Sequence, residues 1–115
     1  MLCKLHNLTK IDTIKKHIIS ALEDIKAFDI VALDVRKLTP IADFMIIASA
    51  SSTRQSKALA KNVFERMKQM DIDIVGIEGE KDGDWVLVDI GDIIVHIMTP
   101  TTRAYFNLEE LWSSN

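Results

Sequence analysis

The stretch DWVLVDIGDIIVHIM, from Asp84 to Met98, decides the fold because it predicts the two adjacent strands of a hairpin. Alternate residues of a strand lie on opposite faces of its sheet. One face of the first strand is aliphatic and the other is mixed, with Val86, Val88 and Ile90 opposed to Trp85, Leu87 and Asp89. We expect the aliphatic face in the core and the mixed face partly exposed.

The polar residues of this hairpin are candidates for a functional site. Asp89 and Asp92 flank Gly91 at the turn, where aspartates bond nearby backbone amides, although a binding role is an open alternative. His96 lies among aliphatic residues, so we expect a buried imidazole bonded to the backbone or to a carboxylate. Trp85 adjoins the acidic turn EKDGD, and an aromatic residue beside acids is typical of a partner-binding surface.

A metal site is the less favoured interpretation of these polar groups. Metal ions need several ligands that converge on one point, whereas these carboxylates lie on one strand and its turn without a second ligand cluster. The only cysteine is Cys3, which excludes an intrachain disulfide and a cysteine-based zinc cluster. We therefore expect neither a metal nor a cofactor.

Two helices are predicted before the hairpin. Thr9 and Asp12 resemble a capping box, and apolar residues at spacings of three and four then predict a helix from Lys10 to Lys26. Ser52 and Gln55 form a second capping box, which opens a helix that ends at about Met70. The apolar stripe of that second helix is Leu59, Ala60, Val63, Phe64, Met67 and Met70.

Three strands precede the hairpin and a helix follows it. The strands are Asp29–Val35, Asp43–Ala50, which is apolar on both faces and therefore central, and Ile74–Ile77. Thr101 or Thr102 can cap a last helix, whose apolar side is formed by Tyr105, Leu108, Leu111 and Trp112. The order α-β-β-α-β-β-β-α predicts an α+β fold, in which helices pack on a mixed sheet of about five strands.

The composition is that of a single domain, residues 1–115, in which 1–8 form a flexible N-terminal end and 113–115 the C-terminal end. A net charge of −3 disfavours direct nucleic-acid binding and permits a basic protein partner. No apolar run approaches the ~20 residues of a membrane span, and the N-terminus lacks a signal or transit pattern, so we expect a cytoplasmic protein with no membrane partner.

An enzymatic interpretation rests on Asp71 and Asp73, since nucleotidyltransferases hold metal ions with an Asp-x-Asp pair. Such enzymes also need a glycine-containing phosphate loop, and the corresponding stretch here reads SASSTRQ. Capping and solvation explain both aspartates adequately. Arg54 is unusual in a first helical turn, where the helix dipole disfavours a cation; it pairs with a carboxylate such as Asp43, contacts a partner or remains solvated.

Three stretches together resemble the ribosomal silencing factor family, also called Iojap-like: IADFMIIASASSTRQ, GIEGEKDGDWVLVDIGDIIVHIM and RAYFNLEELW. The resemblance covers about Asp29 to Trp112. Two departures are mild. Ala50 stands where many relatives have glycine, and Tyr105-Phe106 stands where Phe-Tyr is common, which leaves open which ring points outward.

The resemblance implies a non-enzymatic protein with a nucleotidyltransferase-like fold. Family members bind the large ribosomal subunit through the basic ribosomal protein L-fourteen and block subunit joining when nutrients are short, organellar relatives assist large-subunit assembly, and homodimers occur. Carried over to this chain, the interface would comprise Glu78, Trp85, Asp89, Ile90 and Asp92. Structural or secondary roles would fall to Asp43, Arg54, His96, Arg103 and Tyr105.

Two other functions remain as alternatives to ribosome binding. A metal-dependent nucleotidyltransferase would use Asp71, Asp73 and Asp89, and it predicts that the chain binds nucleotide with Mg²⁺. A purely dimeric scaffold predicts that the mixed face of the hairpin is buried against a second copy.

Overall fold

The computed structural model describes the backbone of residues 2–112 and the side chains of residues 10–112. The elements are α1 (Leu2–Asp24), β1 (Phe28–Asp34), β2 (Phe44–Ser49), α2 (Thr53–Gln69), β3 (Gly76–Glu78), β4 (Trp85–Asp89), β5 (Ile93–Met98), α3 (Pro100–Phe106) and α4 (Leu108–Leu111). The predicted α+β class is confirmed. Residues 113–115 lie outside the described residues, and the flexible end over residues 1–8 stays a prediction.

The five strands form one mixed sheet in the order β1-β2-β5-β4-β3. β2 and β5 run parallel, and the other neighbouring pairs are antiparallel. The prediction that the second strand is central is confirmed, because β2 lies between β1 and β5. The hairpin of β4 and β5 places Leu87 opposite His96 and Asp89 opposite Ile94.

The main core lies between the sheet and the helices α1 and α2. It contains the aliphatic face of β4, as expected, and every second residue of β5 from Ile93 to Ile97. On α2 the stripe of Leu59, Ala60, Val63 and Met67 is buried. Phe64 is exposed, contrary to prediction, because it lies one residue beyond Val63, and a helix turns about 100° at each step.

The N-terminus of α2 is held by the predicted cap. The backbone amide of Gln55 donates to Ser52 Oγ at 3.1 Å, and Oε1 of the Gln55 side chain accepts from the Ser51 hydroxyl at 2.7 Å. Gln55 Nε2 also donates to the Ile25 carbonyl at 2.8 Å, which ties α2 to the end of α1. One polar residue therefore caps its own helix and anchors the neighbouring one.

A second, smaller core lies on the opposite face of the sheet. It consists of Val35, Ala42, Met45, Ile47, Met98 and Leu108, with Leu33, Trp85, Ile94 and Trp112 partly buried against it. Within residues 2–112, only α3, α4 and the loop of residues 35–43 cover this face. The described residues therefore leave part of the sheet accessible.

Two predicted helix boundaries are wrong. α1 begins at Leu2, so Thr9 and Asp12 lie inside it and do not cap it. The N-cap position of the last helix is Thr99, not Thr101 or Thr102, and the Thr99 side chain makes no capping hydrogen bond; the helix breaks at Asn107, whose backbone is left-handed with φ 48°. The break turns Leu108 inward and leaves Tyr105 and Leu111 exposed, although all three were predicted on one apolar side of a continuous helix.

Candidate functional site

The accessible part of the second sheet face is here called the open face. It comprises Glu78, Leu87, Asp89 and Ile94, with the buried His96 at one end. Leu87 lies opposite Glu78 of β3 and His96 of β5, while Asp89 lies opposite Ile94. Directly opposed residues of antiparallel strands point to the same side of a sheet. The structure therefore places Glu78 of β3 on the same side of the sheet as the mixed face of the hairpin, which includes Asp89.

Trp85 and His96 form a hydrogen-bonded pair at one end of the open face. Trp85 Nε1 donates to His96 Nδ1 at 2.9 Å, which leaves the imidazole proton on Nε2. His96 is only 5% exposed, and burial lowers its pKa to about 4, so the ring is neutral at pH 7. The prediction of a buried imidazole is confirmed, but its partner is an indole rather than the backbone or a carboxylate.

Trp85 is half-buried because residues of α3 cover its ring. The centroid of the Phe106 ring lies 4.7 Å from that of Trp85, and Tyr105 packs edge-on against Phe106 at 5.0 Å. Tyr105 is 82% exposed, so Tyr105 is the ring that faces outward. Trp85 therefore contributes an edge to the open face and also holds α3 against the sheet.

The turn of the hairpin is held by Asp89. Its Oδ1 accepts from the Gly91 amide at 2.9 Å. Asp92 is exposed, and its backbone carbonyl accepts from the amides of Asp43 and Phe44. Ile90, expected at the interface, is only 9% exposed and belongs to the main core, so its side chain points away from the open face.

Arg103 has a structural role. Its guanidinium donates to Glu109 Oε1 at 2.6 Å, to the Asp29 carbonyl at 2.5 Å and to Ser49 Oγ at 2.8 Å. The hydrogen bond from Arg103 lowers the pKa of Glu109. One side chain thus ties α3 to α4, β1 and β2, and it anchors the incomplete cover of the open face.

A separate acidic cleft of about 450 Å³ lies near the turn of the hairpin. Its polar lining residues are Lys10, Asp43, Asp71, Asp73 and Asp92. Among the side chains of residues 10–112, no group of three or more His, Cys, Asp or Glu residues is arranged to hold a metal ion.

Arg54 is exposed at the start of α2. Within the same stretch, residues 10–112, no ion pair joins Arg54 to Asp43. Of the roles considered for Arg54, contact with a partner and simple solvation remain.

Negative charge is concentrated beside the open face. The segment from Glu78 to Asp92 carries six carboxylates and one lysine, a formal charge of −5, whereas the whole chain carries −3. The rest of the molecule is therefore slightly basic. This asymmetry favours a basic partner at the hairpin because opposite potentials speed the encounter of two surfaces and fix their register.

An apolar pocket of about 150 Å³ lies within the open face. It is lined by Thr39, Ile41, Ala42, Met45, Leu87, Ile94, His96 and Trp112. The pocket was not predicted from the sequence, in which residues 36–42 only connect the first two predicted strands. The available signal was the apolar side of the second strand together with a shortage of helices to cover it.

No helix within residues 2–112 is long and apolar enough to cross a bilayer.

Residues 9–115 match the family model described as "Ribosomal silencing factor during starvation". A Chromobacterium violaceum protein named ribosomal silencing factor RsfS is 50% identical over 103 residues, which cover 90% of this chain and 84% of that protein. The mouse protein named "Mitochondrial assembly of ribosomal large subunit protein 1" is 32% identical over 84% of this chain and 43% of its own length.

Solved structures show the same fold. A crystal structure of a Chromobacterium violaceum protein has a TM-score of 0.87 at 51% identity and covers 89% of this chain and 85% of its own. A Bacillus halodurans structure has a TM-score of 0.81 at 34% identity, with coverages of 88% and 94%.

Proposed function

Because the chain belongs to the ribosomal silencing factor family, we propose that it binds the large ribosomal subunit and keeps the small subunit from joining it, which represses translation under nutrient limitation. The proposed contact on the ribosome is the basic ribosomal protein L-fourteen. The mechanism is steric and needs no catalytic group. The folded chain, with extents of 44 × 36 × 21 Å, supplies the bulk that occludes the joining surface.

The observation that carries this proposal is the charge of the hairpin segment. The formal charge of −5 between Glu78 and Asp92 borders an open face on which Leu87 and Ile94 are only partly buried. Interfaces commonly join an apolar centre to a polar rim. An apolar face rimmed by carboxylates therefore fits a basic protein surface better than an RNA backbone, which carries the same sign of charge.

The test removes charge from the open face without removing hydrogen-bond acceptors. Glu78→Gln with Asp89→Asn preserves the Oδ1 that accepts from Gly91, and so it preserves the turn. We expect the double variant to co-sediment with separated large subunits about tenfold more weakly than the native chain, with a reduced dependence on salt. Small subunits should bind neither protein.

The matched control is Glu23→Gln with Glu65→Gln. It changes the net charge equally, at exposed positions of α1 and α2. Equal co-sedimentation of the native chain and the open-face variant would place the partner elsewhere. The double alanine variant of Trp85 and Asp89 is a poorer test because it also removes the indole that holds His96 and Phe106.

Assembly of the large subunit is a second candidate function, favoured by the name of the mouse relative. It would use the same surface but act on unfinished particles. A strain without the protein would then accumulate large-subunit precursors, whereas pure silencing leaves mature subunits in normal amounts. A homodimer through the open face would be detected by sedimentation of the protein alone.

A further inference from the structure

The apolar pocket of the open face contains an unsatisfied polar atom. His96 lines the pocket, its Nδ1 accepts from Trp85, and its Nε2 is buried without a partner among residues 10–112. Since Nδ1 is an acceptor, Nε2 carries the proton and is a donor. Burying such a donor without a partner is unfavourable, so a binding partner that supplies an acceptor recovers this cost.

The dimensions and lining of the pocket indicate what can enter it. A cavity of about 150 Å³ is large enough for a benzene molecule and hence for one aliphatic or thioether side chain. The lining is mostly apolar: among its side chains only His96 and Thr39 carry polar atoms, and the Thr39 hydroxyl accepts from the Ile41 amide. A charged group inside the pocket would lose its hydration, because no side chain of the lining carries an opposite charge.

We propose that this pocket receives one aliphatic or methionine side chain from a basic protein partner, and that a carbonyl oxygen beside that side chain accepts from His96 Nε2. This inference rests on the proposed function, since the partner is the protein that the open face contacts on the large subunit. Glu78 lies opposite the pocket residue Leu87 and Asp89 opposite the pocket residue Ile94, and their carboxylates supply the complementary charge. The pocket selects for shape and for one acceptor, while the rim selects for charge.

The entry of a side chain requires a small opening of the pocket, because Nε2 is closed to water in the free chain. Ile41 lines the pocket and is 71% exposed, so it is the least constrained of the lining residues and the natural mouth. Ala42 lines the pocket and is buried. A larger residue at position 42 would therefore occupy the space that the partner's side chain needs.

The experiment fills the pocket from within. Ala42→Leu is compared with Ala58→Leu, the same change at an exposed position of α2, and both are assayed by co-sedimentation with large subunits. We expect Ala42→Leu to bind at least about tenfold more weakly and Ala58→Leu to bind like the native chain. If Ala42→Leu does not fold, Ile41→Asp, which places a charge at the exposed mouth, replaces it.

The outcomes separate the pocket from the proposed function. If the native chain binds large subunits and folded Ala42→Leu binds them equally, the pocket proposal is wrong and the function stands. If the native chain does not bind them, both fall. As a direct readout, NMR of the His96 Nε2 proton should show a downfield shift when purified ribosomal protein L-fourteen is added, and an unmoved signal in the bound state contradicts the pairing.

Two other occupants are distinguished by the same NMR signals. Methyl shifts of Met45 and Leu87 that grow with the concentration of the protein alone would identify a second copy of the chain and overturn the proposal. If a variant that ends at Trp112 shows the same shifts of these methyl signals, the occupant of the pocket is the C-terminal segment of the chain itself, which also overturns the proposal. The proposal predicts that neither change moves these methyl signals.

Discussion

The hydrogen bond from Trp85 to His96 joins a residue at the edge of the open face to a buried residue of the hairpin. The indole fixes the tautomer of the imidazole by donating to Nδ1. The Trp85 ring also contacts the rings of His96 and Phe106. Strand parity alone predicts that His96 lies among aliphatic residues. The sequence could not reveal its partner, because the contact depends on the strand register. Trp85 lies opposite Met98, and His96 lies two residues before Met98 on the same face of β5, so the two rings meet diagonally across the strands.

The stability of the fold should also depend on the titration of His96. Burial lowers the pKa of His96 from 6.5 to about 4, so the unfolded chain binds the proton more tightly than the folded one. Above about pH 6.5 the titration of His96 does not change the free energy of unfolding. As the pH falls from 6.5 towards 4, it lowers the free energy of unfolding progressively. We expect the free energy of unfolding, measured with urea from neutral pH to about 5, to fall by up to about 1.4 kcal/mol per pH unit from this group.

The control for this pH dependence is His96→Gln, which cannot titrate in this range. Its free energy of unfolding should fall less steeply over the same interval, although its value at neutral pH is lower. The hydrogen bonds with Arg36 lower the pKa of Asp34 from 3.8 to about 2. Asp34 therefore changes the free energy of unfolding with pH only below about pH 3.8, outside the measured interval. Parallel slopes for the native chain and the variant would show that His96 is not the group responsible.

At the scale of elements, the acidic turn between β3 and β4 depends on Gly79. Its φ of 85° lies in the left-handed region, and a Cβ added there would be 2.0 Å from the Trp85 carbonyl oxygen. Glycine is therefore required by both conformation and space. The sequence already predicted a turn from the glycines and acids of residues 78–84, but the close approach to Trp85 was visible only in the structure.

Gly79→Ala should destabilise the chain by at least about 2 kcal/mol, through backbone strain and displacement of Trp85. Gly76→Ala is the matched control, because a Cβ at Gly76 meets nothing within 4 Å and its φ is not in the left-handed region. The control should change stability by no more than about 0.5 kcal/mol. Chemical denaturation measures both, and equal midpoints would disprove the steric account of this turn.

The helices show where local sequence signals fail. The Thr9–Asp12 pair has the pattern of a cap, but no glycine or proline precedes it to stop a helix, and α1 continues back to Leu2. The last helix has a continuous apolar stripe in sequence, yet Asn107 adopts the left-handed conformation that asparagine tolerates. Ser52 and Gln55 were predicted correctly because a cap followed by a strong stripe is consistent at both levels.

At the scale of the whole molecule, the sheet is covered unevenly. α1 and α2 bury most of one face, whereas within residues 2–112 two short helices and a loop cover only part of the other. The order and class of the elements could be predicted because each has a clear apolar period. The open face and its pocket could not, since they depend on how completely distant segments cover a sheet.

Light scattering of mixed large and small subunits measures whether the bound chain keeps the ribosomal subunits apart. Addition of the native chain in excess over large subunits should lower the fraction of joined particles. Glu78→Gln with Asp89→Asn should restore joining at the same concentration, while Glu23→Gln with Glu65→Gln should inhibit like the native chain. Undiminished joining when the large subunits are saturated with the native chain would contradict the account.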